Sequence, residues 1–160
     1  MHAEPQKEHE WLQKLLGEWT SEAEASMGPD KPCETFRGTD SVRTLGGLWV
    51  LCEGRGEMPG GGTANTLMTL GYDPAKGKFV GTFVASMMTH MWQYEGTLDA
   101  SGKVLTLDTQ GPGMAGDGTM AKYKDVIEFE SDDHRTLTSH MATDDGKWVV
   151  FMTAHYRRKK

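Results

Sequence analysis

The sequence predicts an all-β chain: an up-and-down antiparallel β-barrel of about ten strands, plugged at one end by an N-terminal capping helix. Three observations carry this. From Glu18 onward β-branched and aromatic residues alternate with polar ones. Turn sequences rich in Gly, Pro and Asp recur roughly every dozen residues, the cadence of an all-β sandwich or barrel. Nearly all spacers are short, so successive strands pair as neighbours. A sheet of that many strands does not stay open and flat, and closure removes its unpaired edges. At about ten strands the interior is too wide for side chains alone, so a ligand cavity is expected.

The helix is placed at 5–16. Pro5 suits a first helical turn, where its missing N–H has no intrahelical partner to lose. Trp11, Leu12, Leu15 and Leu16 line one face, Lys7, Glu10, Gln13 and Lys14 the other, and Gly17 is a stop signal. Strands are placed at 18–27, 35–44, 47–57, 64–73, 77–86, 90–99, 103–110, 120–130, 134–143 and 147–157. The turns between them read as Gly28-Pro29-Asp30, Gly46-Gly47, Pro59-Gly60-Gly61-Gly62, Asp73-Pro74 with Lys76-Gly77, Ser101-Gly102, Gly111-Pro112-Gly113, Asp132-Asp133 and Asp145-Gly146. Met87-Met88-Thr89 has no turn residue, which leaves 77–99 open as one long bent strand. No linker divides the chain, so 1–160 is one domain with the barrel over 18–157.

The chain has 160 residues, 37% hydrophobic and 25% charged, ordinary for a globular protein. Its net charge is −6 and its only basic run is Arg157-Arg158-Lys159-Lys160, which argues against a nucleic-acid partner. Cys33 and Cys52 are too few for a disulfide framework. The first ten residues have no apolar core of the kind a secretion signal carries, and no run approaches the ~20 apolar residues of a membrane helix. The expectation is a cytoplasmic protein with reduced thiols and no membrane partner.

His90, His140 and His155 lie within expected strands, a trio that invites a metal. A two-residue turn at Asp145-Gly146 pairs His140 with Phe151 and Thr136 with His155. The two histidines then share a face about 13 Å apart, too far for one metal, and a one-residue slip puts them on opposite faces. No metal and no resident cofactor is expected from the residues. The stripe Val80, Thr82, Val84, Ser86, Met88, His90, Trp92, Tyr94 falls on one face if the strand is continuous. Aromatic and apolar groups with a few polar tips suit a small-molecule pocket, and flexible methionines adapt to ligand shape. The candidate ligand residues are therefore Val84, Ser86, Met88, His90, Trp92 and Tyr94, with His155 from the last strand. Glu53, Arg55 and Glu57 share parity and read as an outward or rim-facing set, the alternative being an inward arginine–carboxylate set that anchors a ligand's acid group. Residues 111–118 form the longest loop, placed to gate a barrel mouth. No Gly-x-Ser-x-Gly, His-Glu-x-x-His or Cys-x-x-Cys motif occurs. Catalytic residues stay unassigned, since barrels draw them from separate strands.

Two resemblances bear on this reading. Leu16-Gly17-Glu18-Trp19 after a helix resembles the Gly-x-Trp signature of calycins, the lipocalin and fatty-acid-binding-protein group. That implies a tryptophan packed under an arginine from the barrel's end, here Arg157 or Arg158. Gly71-Tyr72-Asp73-Pro74, Gly81-Thr82-Phe83-Val84-Ala85-Ser86-Met87 and Trp92-Gln93-Tyr94-Glu95-Gly96-Thr97-Leu98-Asp99 resemble the bacterial domain of unknown function 1579 family. Tyr123-Lys124-Asp125-Val126, Asp132-Asp133-His134-Arg135 and Tyr156-Arg157-Arg158 fit the same pattern, with Gln110 standing where that family is expected to have Glu. The resemblance implies the fold and no chemistry. A likeness to nitrobindins, calycin-like barrels holding haem by one late histidine, implies His155 as the haem ligand.

The expected function is a small-molecule-binding barrel with a largely apolar internal cavity, its partner a small apolar or aromatic ligand. An enzyme acting in that cavity through His90 and Tyr94, or haem binding through a single histidine, stays open beside it. Trp148, Val150 and Met152 alternate with Val149 and Phe151, so both faces of the last strand are apolar. That points to a second copy of the chain as a further partner.

Overall fold

The computed structural model describes residues 2–26, 32–58 and 60–160. Met27, the turn Gly28-Pro29-Asp30 and Pro59 lie outside the described residues.

A short helix, α1 (Lys7–Leu12), continues as a 3-10 turn (Gln13–Leu15). It begins two residues after Pro5, with Gln6 as N-cap. Ten strands follow: β1 (Gly17–Ala25), β2 (Glu34–Leu45), β3 (Trp49–Glu57), β4 (Thr63–Asp73), β5 (Lys78–Ala85), β6 (Trp92–Leu98), β7 (Val104–Pro112), β8 (Met120–Ser131), β9 (His134–Ala142) and β10 (Trp148–Arg158). Each pairs antiparallel with its sequence neighbours, and β1 pairs with β10 from Trp19↔Arg158 to Ala25↔Met152, closing the barrel.

Register fixes which side chains face in. Trp19 opposes Asp40, Val42 opposes Cys52, Cys52 opposes Met68 and Met68 opposes Phe83, so these share the inner face. Glu53, Arg55 and Glu57 therefore face out; Glu53 pairs with Arg43, and Glu57 accepts the Arg37 N–H at 3.0 Å. Exposed pairs of this kind contribute little stability.

One end is sealed. Trp11, Leu12, Leu15 and Trp19 are buried there. Trp11 donates its indole N–H to Gly102 O at 2.6 Å, in the β6–β7 turn. His9 Nδ1 accepts the Gln6 N–H at 2.9 Å, which requires the Nε2–H tautomer, and that nitrogen donates to Tyr72 O at 3.0 Å. The guanidinium of Arg158 lies 4.2 Å from the Trp19 ring centre, so Arg158 rather than Arg157 supplies the expected tryptophan–arginine pair. Among the described residues no helix covers the opposite end. Apart from Leu45 and Trp49, the exposed large apolar residues gather there: Val84, Met87, Met88, Met91, Met114, Met120, Trp148, Val149 and Val150.

Two expectations need correction. The strands placed at 77–86 and 90–99 are separate, and the single bent strand left open over 77–99 does not form, because the chain turns at 86–91. Ser86 drives this: its hydroxyl accepts the Asn65 N–H at 2.9 Å while its own N–H bonds Asn65 O at 2.8 Å. The serine side chain thus replaces a ladder acceptor and lets the strand end without glycine or proline. Crossing this turn shifts the inward parity from Phe79, Gly81, Phe83 and Ala85 to Trp92, Tyr94, Gly96 and Leu98.

The second correction concerns the β9–β10 connection. It spans 143–147, held by Thr143 N–H to Lys147 O at 2.8 Å. His140 therefore pairs with Val150, and a bulge between Val150 and Met152 restores the pairing of His155 with Thr136.

Candidate ligand site

The end away from α1 carries an aromatic chain built from three strands and the β5–β6 turn. Trp92 stacks edge-to-face with His90 at 4.8 Å and with Tyr123 at 5.0 Å, and Tyr123 meets Phe151 at 6.0 Å. Trp92 lies over Gly111, where an added Cβ would collide with the indole ring. Its N–H donates to Met88 Sδ at 3.1 Å, and His90 Nε2 sits 3.0 Å from Gln110 O. Met88, His90 and Trp92 are thus brought together at the rim, with Tyr94 below them on β6. Ser86 is spent on the turn. Val84 does not join them: it faces outward and is exposed, because the parity shift at 86–91 splits the expected stripe. His155 is also misplaced, on the outer face opposite Glu22, where its Nδ1 lies 2.9 Å from His134 Nε2. An outward histidine is no axial ligand for haem inside the barrel.

Deeper in the barrel is a polar layer that the stripe did not anticipate. Arg135 is 4% exposed and 3.4 Å from Asp40, itself 13% exposed. The Arg135 guanidinium lies over Trp19 at 4.6 Å and over Tyr156 at 4.2 Å. Its Nε is buried with no hydrogen-bond partner. Beside it is a cavity of about 50 Å³, lined also by Cys52, Thr66, Met68, Phe83, Ile127 and Leu137. Burial pushes the Asp40 carboxyl up, against the Arg135 charge that pulls it down. The Cys52 thiol is pushed up to about 12 by burial and the nearby Asp40, so it stays a thiol, whereas Cys33 is exposed.

One layer higher, Asp125 accepts from Tyr94 OH at 2.5 Å and from Ser139 Oγ at 2.6 Å. Burial raises Asp125 despite those two bonds, and burial followed by the Asp125 charge raises Tyr94 well above the ordinary phenol range. Tyr94 is therefore held un-ionised and is a poor acid, and His90 is engaged at the rim rather than with Tyr94.

The β6–β7 ladder covers only Glu95↔Asp108 to Leu98↔Leu105. Above it the two strands are bridged by side chains instead. An outer groove of about 830 Å³ runs over this gap, lined by His90, Gln93, Tyr94, Thr109, Gln110 and Lys122 among others. The Thr109 hydroxyl, buried, has no partner there.

Sequence reasoning missed Arg135, Asp40, Asp125 and Ser139. A signal was present: Arg135 and Ser139 share parity with Leu137 and Met141, and Asp125 shares it with Tyr123, Ile127 and Phe129. A charge in the middle of an apolar strand face marks a paired buried group.

Residues 4–158 match the sequence family described as "Protein of unknown function (DUF1579)". The chain belongs to this family. Among solved structures it is similar to the crystal structure of Rv2717c from M. tuberculosis, at 13% identity and a TM-score of 0.70, covering 98% of this chain and 100% of that one. It is also similar to EF1p2_mFAP2b, solved bound to DFHBI, at 14% identity and a TM-score of 0.51, covering 95% and 99%. A redesigned β-barrel, mFAP0, also bound to DFHBI, matches at 14% identity and a TM-score of 0.50, covering 91% and 100%. At these identities the likeness establishes the barrel fold alone. No curated protein matches the chain.

Proposed function

We propose that this family member is a small-molecule-binding barrel, its ligand held inside and admitted at the end away from α1. The observation that carries the reading is the contrast between the two ends. One is sealed by α1 and the Trp19–Arg158 pair. The other presents exposed methionines, valines and Trp148 around the aromatic chain of His90, Trp92, Tyr123 and Phe151. Exposed apolar surface gathered at one site marks a place of interaction rather than a random surface. Similarity to barrels solved bound to DFHBI is in keeping with this. With an enclosed volume of about 50 Å³, a larger guest is accommodated by outward movement of the rim side chains, which the unbranched methionines make inexpensive.

Thermal unfolding with a panel of fatty acids, flat aromatics and tetrapyrroles tests the proposal. A ligand held at 100 times its Kd adds about 2.7 kcal/mol. For a chain this long that raises Tm by roughly 5–10 °C. Light scattering on the same samples reads whether the apolar rim instead seats a second copy of the chain. No shift with any class overturns the reading, and a dimer in the same samples would then assign the apolar rim to a second copy.

A further inference from the structure

Arg135 is anchored more firmly than it is satisfied. A guanidinium lying over aromatic rings presents its N–H groups around its edge. One edge nitrogen reaches Asp40 at 3.4 Å, a long contact, and Nε has no acceptor. A buried charged donor without an acceptor is costly, and native interiors rarely leave one without a reason. The cavity at this edge is several times the roughly 10–15 Å³ that one water needs. It has room for a polar head group and not for a ring or chain. Gly54 helps to form it: an added Cβ there would meet Thr66 Oγ1 and lie 3.0 Å from Asp40 Oδ1. Toward the other end the inner face of β1–β3 carries the small residues Ala23, Gly38 and Gly56, with Phe36 opposite Ala23, so a tail on this side has to be slender.

Charge decides the head group. The Arg135 cation is already matched by Asp40, and Asp125 stands in the next layer. A carboxylate ligand would add a negative charge to a low-dielectric interior where, among the described residues, the cavity lining holds no cation besides Arg135. A neutral carbonyl oxygen accepts from Nε and brings no charge. We propose that this chamber is the head-group subsite for a neutral hydrogen-bond acceptor, a ketone, aldehyde, ester or amide carbonyl on a slender apolar tail. The proposal rests on the reading of the barrel as a small-molecule binder and adds which chemistry it selects.

Calorimetric titration with 2-octanone, octanamide and octanoate at pH 7 tests it, because the three share a tail and differ at the head. Both neutral carbonyls are expected to bind at least tenfold more tightly than octanoate. Asp40→Asn, which leaves the Arg135 charge unmatched, should raise octanoate affinity at least tenfold. Arg135→Lys keeps the charge and removes Nε, and should weaken 2-octanone about tenfold. If a variant fails to fold, the order of the three ligands on the unmodified protein decides alone. Octanoate binding more tightly than 2-octanone overturns the proposal. So does a 2-octanone affinity unchanged in Arg135→Lys, which would mean that the chamber holds ordered water only. If none of the three binds but a member of the wider panel does, the head-group assignment fails and the binding barrel stands; if nothing binds, both fail.

Discussion

Asp125 shows how one residue couples the barrel's interior to pH. Its carboxyl receives the hydroxyls of Tyr94 and Ser139, yet burial outweighs those bonds and raises it above the ordinary aspartate value. An acid raised by folding binds its proton more tightly in the native state than in the unfolded chain. Stability from that group is therefore greatest at low pH and falls as pH climbs from about 4, the unfolded value, to the raised native one. Asp125→Asn removes the titration. The stability gap favouring the unmodified protein over Asp125→Asn should narrow as pH rises above about 4 and level off beyond the raised native value. Denaturant midpoints of both proteins across pH 4–8 check this. Asp40 is raised in both and cancels in the difference. A gap that widens with pH would mean that the fold favours the ionised carboxylate.

At the scale of elements, Trp11 is the largest of the buried side chains that hold α1, beside His9 and Leu12. Trp11 meets Phe79 at 6.0 Å and Phe129 at 5.7 Å edge-to-face, besides its bond to Gly102 O. Trp11→Ala should cost about 3–5 kcal/mol, the usual range for a buried tryptophan. Lys7→Ala on the exposed face should stay within about 0.5 kcal/mol. Equal effects in a denaturant titration would mean that the helix rests on the barrel without sealing it. This helix was legible in the sequence because an apolar stripe at helical spacing depends only on near neighbours. The ten strands were legible for the same reason, through alternation and the glycines of their turns. What the local pattern concealed was the turn at 86–91. There a serine hydroxyl and a backbone pair on β4 replace glycine or proline, so the cause lies on another strand, twenty-one residues away in sequence. That one turn moved Val84 to the outside. The β9–β10 connection hid in a similar way: a longer loop and a bulge at Phe151 offset each other by the time the register reaches His155.

Over the whole molecule, closure joins residues from the two ends of the chain, and this governs both the site and the stability. Arg135 meets Asp40 across ninety-five residues and meets Trp19 only because β1 and β10 close the sheet, so periodicity along a single strand does not reveal their cluster. The seal depends on Arg158. It donates to Leu16 O at 2.5 Å, Lys14 O at 3.1 Å and Asp132 O at 3.0 Å, and pairs with Asp133 at 3.2 Å. It therefore ties the helix, the β8–β9 turn and the last strand together over Trp19. Hydrogen bonds from a charged donor contribute about 1.5–3 kcal/mol each, and those made by one side chain do not add fully. Arg158→Ala should lose about 2–3 kcal/mol. Arg157→Ala, one residue away and outward-facing, should change stability by less than about 0.5 kcal/mol. Contacts between the two chain ends close the longest loop and are expected to form late, so the loss should appear chiefly as faster unfolding with little change in folding rate. Stopped-flow measurement on the two variants decides it. A slowed folding rate in Arg158→Ala would place closure early, at the nucleus of folding rather than after it.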